Sequence, residues 1–153
     1  TVYTGTNLTP TIWQSSYDGT SWSTPQYVRY GVEGMGVASH GGQLVLVTRD
    51  RNNDLYMGTS TGNGWTTPTK IAGQKSKSSP ALASFGGVLH MTHLGDSSNS
   101  IWWSTWDGTS WSNNVTIPNQ RSRYVPALAP AGSKLVQAHI GDTTLALWYS
   151  TLQ

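Results

Sequence analysis

A near-copy of one nine-residue segment restricts the folds open to this chain more than any other feature. Ser15-Ser16-Tyr17-Asp18-Gly19-Thr20-Ser21-Trp22-Ser23 returns 89 residues later as Ser104-Thr105-Trp106-Asp107-Gly108-Thr109-Ser110-Trp111-Ser112. A degenerate copy, Thr59-Ser60-Thr61-Gly62-Asn63-Gly64-Trp65, lies between them, so that Trp22, Trp65 and Trp111 are spaced by 43 and 46 residues. Two further matches share the offset of 46: residues 74–83 align with 120–129, and His93-Leu94-Gly95-Asp96 aligns with His139-Ile140-Gly141-Asp142. Separate matches at one offset mark a structural unit repeated along the chain. The repeats fall at approximately 1–30, 31–73, 74–118 and 119–153 of a single domain.

Each repeat reads as four short strands. In the clearest copy a strand covers residues 80–85, Gly86-Gly87 makes a hairpin turn, and a second strand covers 88–94. A loop over 95–100 leads to a third strand at 101–106. After the Asp107-Gly108 turn a fourth runs over 110–117. Four antiparallel strands in about 45 residues make one blade of a β-propeller, so the fold expected is an all-β propeller of repeated four-stranded blades. The first copy lacks strand 1 and the last lacks strand 4, leaving about fourteen strands. Either the chain closes as a small four-bladed ring or several chains share one. Unpaired edges at both ends favour pairing between chains, which leads us to expect a homodimer or higher homo-oligomer.

Composition agrees. Eight Trp and 17 Gly among few charges suit short strands and tight turns, and no window shows helical periodicity. The absence of Cys excludes disulfides and thiolate metal sites. No apolar run is long enough to span a membrane as a helix, and a net charge of +2 is too small to indicate nucleic acid. Thr1-Val2-Tyr3-Thr4 does not read as a signal peptide; both an extracellular and a cytoplasmic setting stay open.

The turns at Ser16-Tyr17-Asp18-Gly19-Thr20-Ser21-Trp22 and Thr105-Trp106-Asp107-Gly108-Thr109-Ser110-Trp111 resemble the Asp-box, Ser/Thr-x-Asp-x-Gly-x-x-Trp, of sialidase-like propellers. Asp and Gly are adjacent here, one residue short of that pattern. The repeats as a whole are similar to those of bacterial and fungal propeller lectins. That resemblance implies glycan binding without identifying the sugar; no cofactor is expected.

Asp18, Asp107, Trp22, Trp65 and Trp111 are read as structural: an Asp in a turn bonds nearby backbone, and the Trp tucks against its blade. On strand 3, Trp13, Tyr56, Trp102 and Trp148 share one register, which suggests packing between blades. The neighbouring register holds Gln14, Met57, Trp103 and Tyr149, and that variation suits a site in which Trp103 and Tyr149 stack on a sugar. Blade topology puts each 4→1 linker at the same end as the 2→3 loops. Gln74, Lys75 and Lys77, and Gln120, Arg121 and Arg123, should therefore share a face with His93, Asp96, His139 and Asp142. Such donors and acceptors suit a hydroxyl-rich ligand. The expected ligand set is Gln74, Lys77, His93, Asp96, Trp103, Gln120, Arg123, His139, Asp142 and Tyr149. His93 and His139 lie on different blades, so no metal site is expected.

The only Glu is Glu33, and Asp50, Asp96 and Asp142 recur blade by blade as a single catalytic centre would not. No nucleophile elbow, P-loop or zinc-protease motif occurs. The reading is a non-catalytic lectin with repeated glycan sites that gain strength by multivalency. The alternatives are a propeller scaffold for a protein partner and, less favoured, a piece of a sialidase-like hydrolase. Two sequons, Asn7-Leu8-Thr9 and Asn114-Val115-Thr116, could carry glycans.

Overall fold

Gly-Gly and Asp-Gly dipeptides cut this sequence into segments that can only meander. The computed structural model describes residues 2–4, 10–30 and 32–152 and contains no helix among them. Four antiparallel sheets follow one another along the chain. The first holds β1 (Val2–Thr4), β2 (Thr11–Gln14) and β3 (Gln26–Tyr30). The second holds β4 (Gly34–His40), β5 (Gln43–Arg49), β6 (Asp54–Thr61), the two-residue β7 (Gly64–Trp65) and β8 (Thr69–Lys75). The third holds β9 (Ala81–Phe85), β10 (Val88–Leu94), β11 (Ser100–Trp106) and β12 (Val115–Arg121). The fourth holds β13 (Ala127–Ala131), β14 (Lys134–Ile140) and β15 (Leu147–Leu152). Each sheet is an up-and-down meander, and β4 lies against β9 and β9 against β13. Three innermost strands thus stand side by side, as around a propeller axis, and the molecule is an arc of β-propeller blades.

Burial patterns follow from that arrangement. In β10 every residue from Leu89 to Leu94 is buried, and in β5 so are Val45, Leu46, Val47 and Thr48. Both strands have a neighbouring blade on each face, so burial is continuous along them instead of alternating, and on β10 it takes in His90, Thr92 and His93. On β14 only Leu135, Gln137 and His139 are buried, because only one face is covered. The core between the second and third blades is built from Val45, Val47, Leu55, Ile71, Leu82, Leu89 and Met91. A smaller one of Ile12, Val32 and Leu46 joins the first blade to the second.

Trp65 and Trp111 reach back to the preceding blade. Trp65 Nε1 donates to Gln14 Oε1 at 2.9 Å, and Trp111 Nε1 lies 3.3 Å from Met57 Sδ. The turns before Trp22 and Trp111 are held by Asp18 and Asp107. Asp18 Oδ1 accepts from the Thr20 and Ser21 amides at 2.8 Å, and Asp107 Oδ1 accepts from Thr109 and Ser110 at the same distance.

Strands 1 to 3 of the third blade stand where the sequence puts them. Strand 4 does not: it starts at Val115, because Trp111 is turned across onto Met57 and residues 110–114 loop around it. β8 and β12 run on to Lys75 and Arg121, so Gln74 and Gln120 lie at the ends of outer strands and not in linkers. A bulge makes this extension. Ser100 faces Arg121 while Trp102 faces Thr116, and Asp54 faces Lys75 while Tyr56 faces Lys70. Pro118 is accommodated because β12 is an edge strand.

Candidate functional site

The 4→1 linkers and 2→3 loops do meet at one end of the arc. The Ser76 amide donates to Asn53 O at 2.9 Å, Ser122 to Asn99 O at 2.8 Å, and Arg123 to Ile140 O at 3.3 Å. Along this face side chains form a relay from blade to blade. Arg49 Nη1 donates to Asn53 Oδ1 at 2.7 Å, and Asn53 Nδ2 donates to Asp96 Oδ1 at 2.7 Å. Lys77 Nζ donates in the same way to Asn99 Oδ1, and Asn99 Nδ2 to Asp142 Oδ1. Arg121 Nε completes the series on Asp142 Oδ2 at 3.1 Å. That bond, with the amide of Asn99, holds the Asp142 carboxyl below its ordinary value.

At the junction of the second and third blades the expected ligand residues are engaged within the protein. Gln74 is buried, accepts from Ser104 Oγ at 3.0 Å and donates from Nε2 to Ser112 O at 3.3 Å. His93 is fully buried; Nδ1 lies 2.7 Å from Leu94 O and Nε2 3.2 Å from Asn114 Nδ2. Neither side chain reaches solvent, because the start of strand 4 closes over both. Asn114 is half-buried against His93; Asn7 lies outside the described residues. Asp96 and Lys77 are exposed but paired in the relay. Trp103 stacks on His90 with ring centroids 5.9 Å apart, and its Nε1 lies 3.2 Å from His90 Nδ1.

At the junction of the third and fourth blades the equivalent positions open into a cleft of about 320 Å³. Gln120, His139, Asp142 and Tyr149 line it together with Arg121, Thr143, Thr144 and Trp148. His139 forms part of the floor, 3.2 Å from Gln137 Nε2; Trp148, opposite it on β15, is 54% exposed, and Tyr149, the next residue, is 75% exposed on the alternate face of the strand. Arg123 stays exposed outside the cleft, close enough to Asp142 to help depress its carboxyl. Four of the ten expected residues therefore converge, and Trp103 lines a second cleft, of about 470 Å³, with Gln120 at the border of the two. Among the described residues no cluster of His, Asp and Glu could hold a metal ion.

Burial pushes the imidazoles of His90, His93 and His139 below the ordinary histidine value of 6.5. The unfolded chain then takes up protons first, so their contribution to stability is present at neutral pH and is lost as pH falls below 6.5. Asp18, Asp107 and Asp142 lie below the ordinary value of 3.8, and their contribution is lost only as pH falls below that. Denaturant midpoints should hold between pH 7 and 8 and decline between pH 6.5 and 5; a midpoint unchanged at pH 5 would show that the buried imidazoles do not govern this range.

No protein-family model and no curated protein matches the sequence. Solved structures do. The fungal lectin of Aleuria aurantia, described as a six-bladed β-propeller with a novel mode of fucose recognition, superposes with a TM-score of 0.72 at 13% identity over 98% of this chain and 51% of its own. A mutant of that lectin in complex with Fucα1-6GlcNAc gives 0.71 at 13% identity, over 99% and 55%. The sialidase of Trypanosoma rangeli, bound to the inhibitor DANA, gives 0.60 at 18% identity, over 91% and 26%. The fold is a propeller fold. The chain spans about half the length of the lectins and about a quarter of the sialidase.

Sequence reasoning missed several residues of this propeller face. Trp148 was assigned to packing on the uniform aromatic register, yet it borders the cleft. Asn53 and Asn99 carry a signal that self-comparison could have found, since they are 46 residues apart, as are the Asp96 and Asp142 that accept from them.

Proposed function

We propose that this chain is a carbohydrate-binding protein whose fourth-blade cleft takes a neutral saccharide. The observation that carries the reading is the exposed indole of Trp148 among hydroxyl and charged groups in one concave site; Tyr149, next on β15 and opposite Ala138 where Trp148 is opposite His139, lies on the alternate face of the strand. The indole offers a flat apolar face to sugar C–H groups, while Asp142, Arg121, Gln120, Thr143 and Thr144 offer acceptors and donors to hydroxyls. Arg121 is already neutralised by Asp142 at 3.1 Å, which favours a neutral ligand over an acidic one. The fucose-binding lectins that share the fold support a saccharide. Binding without catalysis is the better reading of the charges. Glu33 is paired with Arg51 at 3.3 Å on the second blade, away from the cleft, and the only carboxylate lining the cleft is Asp142. Association of several copies into a ring would multiply a weak site.

A glycan array with the labelled protein tests the reading. Selective binding to one class of terminal neutral sugar, reduced at least about tenfold by Trp148→Ala, is the expected result. A blank array with folded protein would sink it. That outcome would favour a scaffold for a protein partner, for which the exposed Leu147 and Leu152 on β15 already speak.

A further inference from the structure

The tryptophan joint between blades is built twice, with a different acceptor each time. At the first-to-second junction Trp65 Nε1 donates to Gln14 Oε1 at 2.9 Å, and at the second-to-third junction Trp111 Nε1 lies 3.3 Å from Met57 Sδ. An amide oxygen serves this joint and is the better acceptor, so the hydrogen bond by itself does not call for a thioether. What the thioether adds is redox chemistry, which the amide lacks. Met57 is also within reach of a small reagent. It is half-buried and lines a cavity of about 240 Å³ together with Thr59, Thr66, Thr69, Trp106 and Trp111. Every wall of that cavity comes from the second and third blades, each of which has its full set of strands. The other two methionines are set differently. Met91 is 0% exposed within the core of the same two blades, and Met35 packs on the smaller core between the first and second.

We propose that Met57 is a site of reversible oxidation by peroxide, modified in a single configuration, and that the modification loosens the joint between the second and third blades. A thioether sulfur carries two lone pairs. The Trp111 N–H is directed at one of them, which leaves the other for the cavity. That lone pair attacks an oxygen of hydrogen peroxide, so an S–O bond forms and the O–O bond breaks. The departing hydroxide takes the proton of the transferred oxygen and leaves as water; sulfur gives up two electrons and peroxide receives them. With one lone pair approachable, one sulfoxide epimer forms. Its oxygen lies among threonine hydroxyls able to donate to it. The damage is on the other side of the sulfur. A sulfoxide sulfur is a poor acceptor, so the indole N–H loses its partner while a polar group stands against the apolar core. The proposal does not rest on the saccharide reading, whose cleft lies at the next junction.

The test treats the folded protein with hydrogen peroxide and follows each methionine by peptide mass spectrometry. Met57 should oxidise at least about tenfold faster than Met91, and its sulfoxide should be reduced by only one of the two classes of methionine sulfoxide reductase, each of which acts on one epimer. The chain oxidised while unfolded in urea should yield both epimers at Met57. Tm should fall by at least about 3 °C on oxidation and recover after enzymatic reduction. Met57→Gln, which copies the first junction, and Met57→Leu should each abolish the response of Tm to peroxide, and either variant suffices for the comparison. Both epimers in comparable amounts from the folded protein, oxidation of Met57 no faster than that of Met91, an unchanged Tm once Met57 is oxidised, or a fall in Tm that persists in the variants would each overturn the proposal.

Discussion

Gly36→Val should lower the stability of this protein by about 3 kcal/mol, the upper end of the range for overpacking. Gly36 lies on β4, the innermost strand of the second blade, opposite Val47. A Cβ there would stand 2.3 Å from the carbonyl oxygen of Pro80 and 3.0 Å from its carbon, and both are backbone atoms. No rotamer relieves such a contact. The start of the third blade must move instead, and with it the packing of β9 against β4. Thermal denaturation should show a fall in Tm of about 6–12 °C for a chain of this size. Gly62 has no atom within 4 Å of its virtual Cβ and no positive φ, so Gly62→Ala should leave Tm nearly unchanged. Equal stability of the two variants would mean that the inner strands are not in close contact.

Trp111→Ala should cost about 3 kcal/mol, at the low end of the range for truncating a buried tryptophan, because the ring is only half-buried. The indole packs on the core between the second and third blades, meets Met57 and lies tilted against Trp106 with centroids 5.8 Å apart. Trp22 occupies the same place in the other copy of the motif, yet it is 58% exposed and touches only Tyr17 among aromatic rings. Trp22→Ala should therefore change stability by less than about 0.5 kcal/mol. Urea unfolding of the two variants compares them directly. Similar losses would show that the tryptophan acts within its own turn and not between blades.

That contrast shows how far the sequence could be read. The turns were legible because the steric demand is local: Gly86 and Gly87 have φ of 60° and 77°, and Asp107 bonds the next two amides but one. Strand β10 ran where the apolar pattern put it. Strand 4 of the third blade was misplaced by several residues because what sets its start is Met57 on another blade. The site shows the same limit. His93 and His139 are twins in sequence, as are Gln74 and Gln120. Nothing local says that strand 4 closes over one pair while the other lines a cleft. Exposure of Trp148 and Tyr149 likewise depends on what lies beyond the edge of β15.

The relay of Asn53 and Asn99 also sets a chemical clock. Each amide donates to a carboxylate of the next blade, Asp96 or Asp142. Asn is among the least durable side chains. Hydrolysis of either amide would leave two carboxylates within hydrogen-bonding distance and no proton between them at neutral pH, and the joint would turn from attraction to repulsion. An ageing population of this protein would loosen first at its loop face, between blades, while the apolar cores on either side stayed intact.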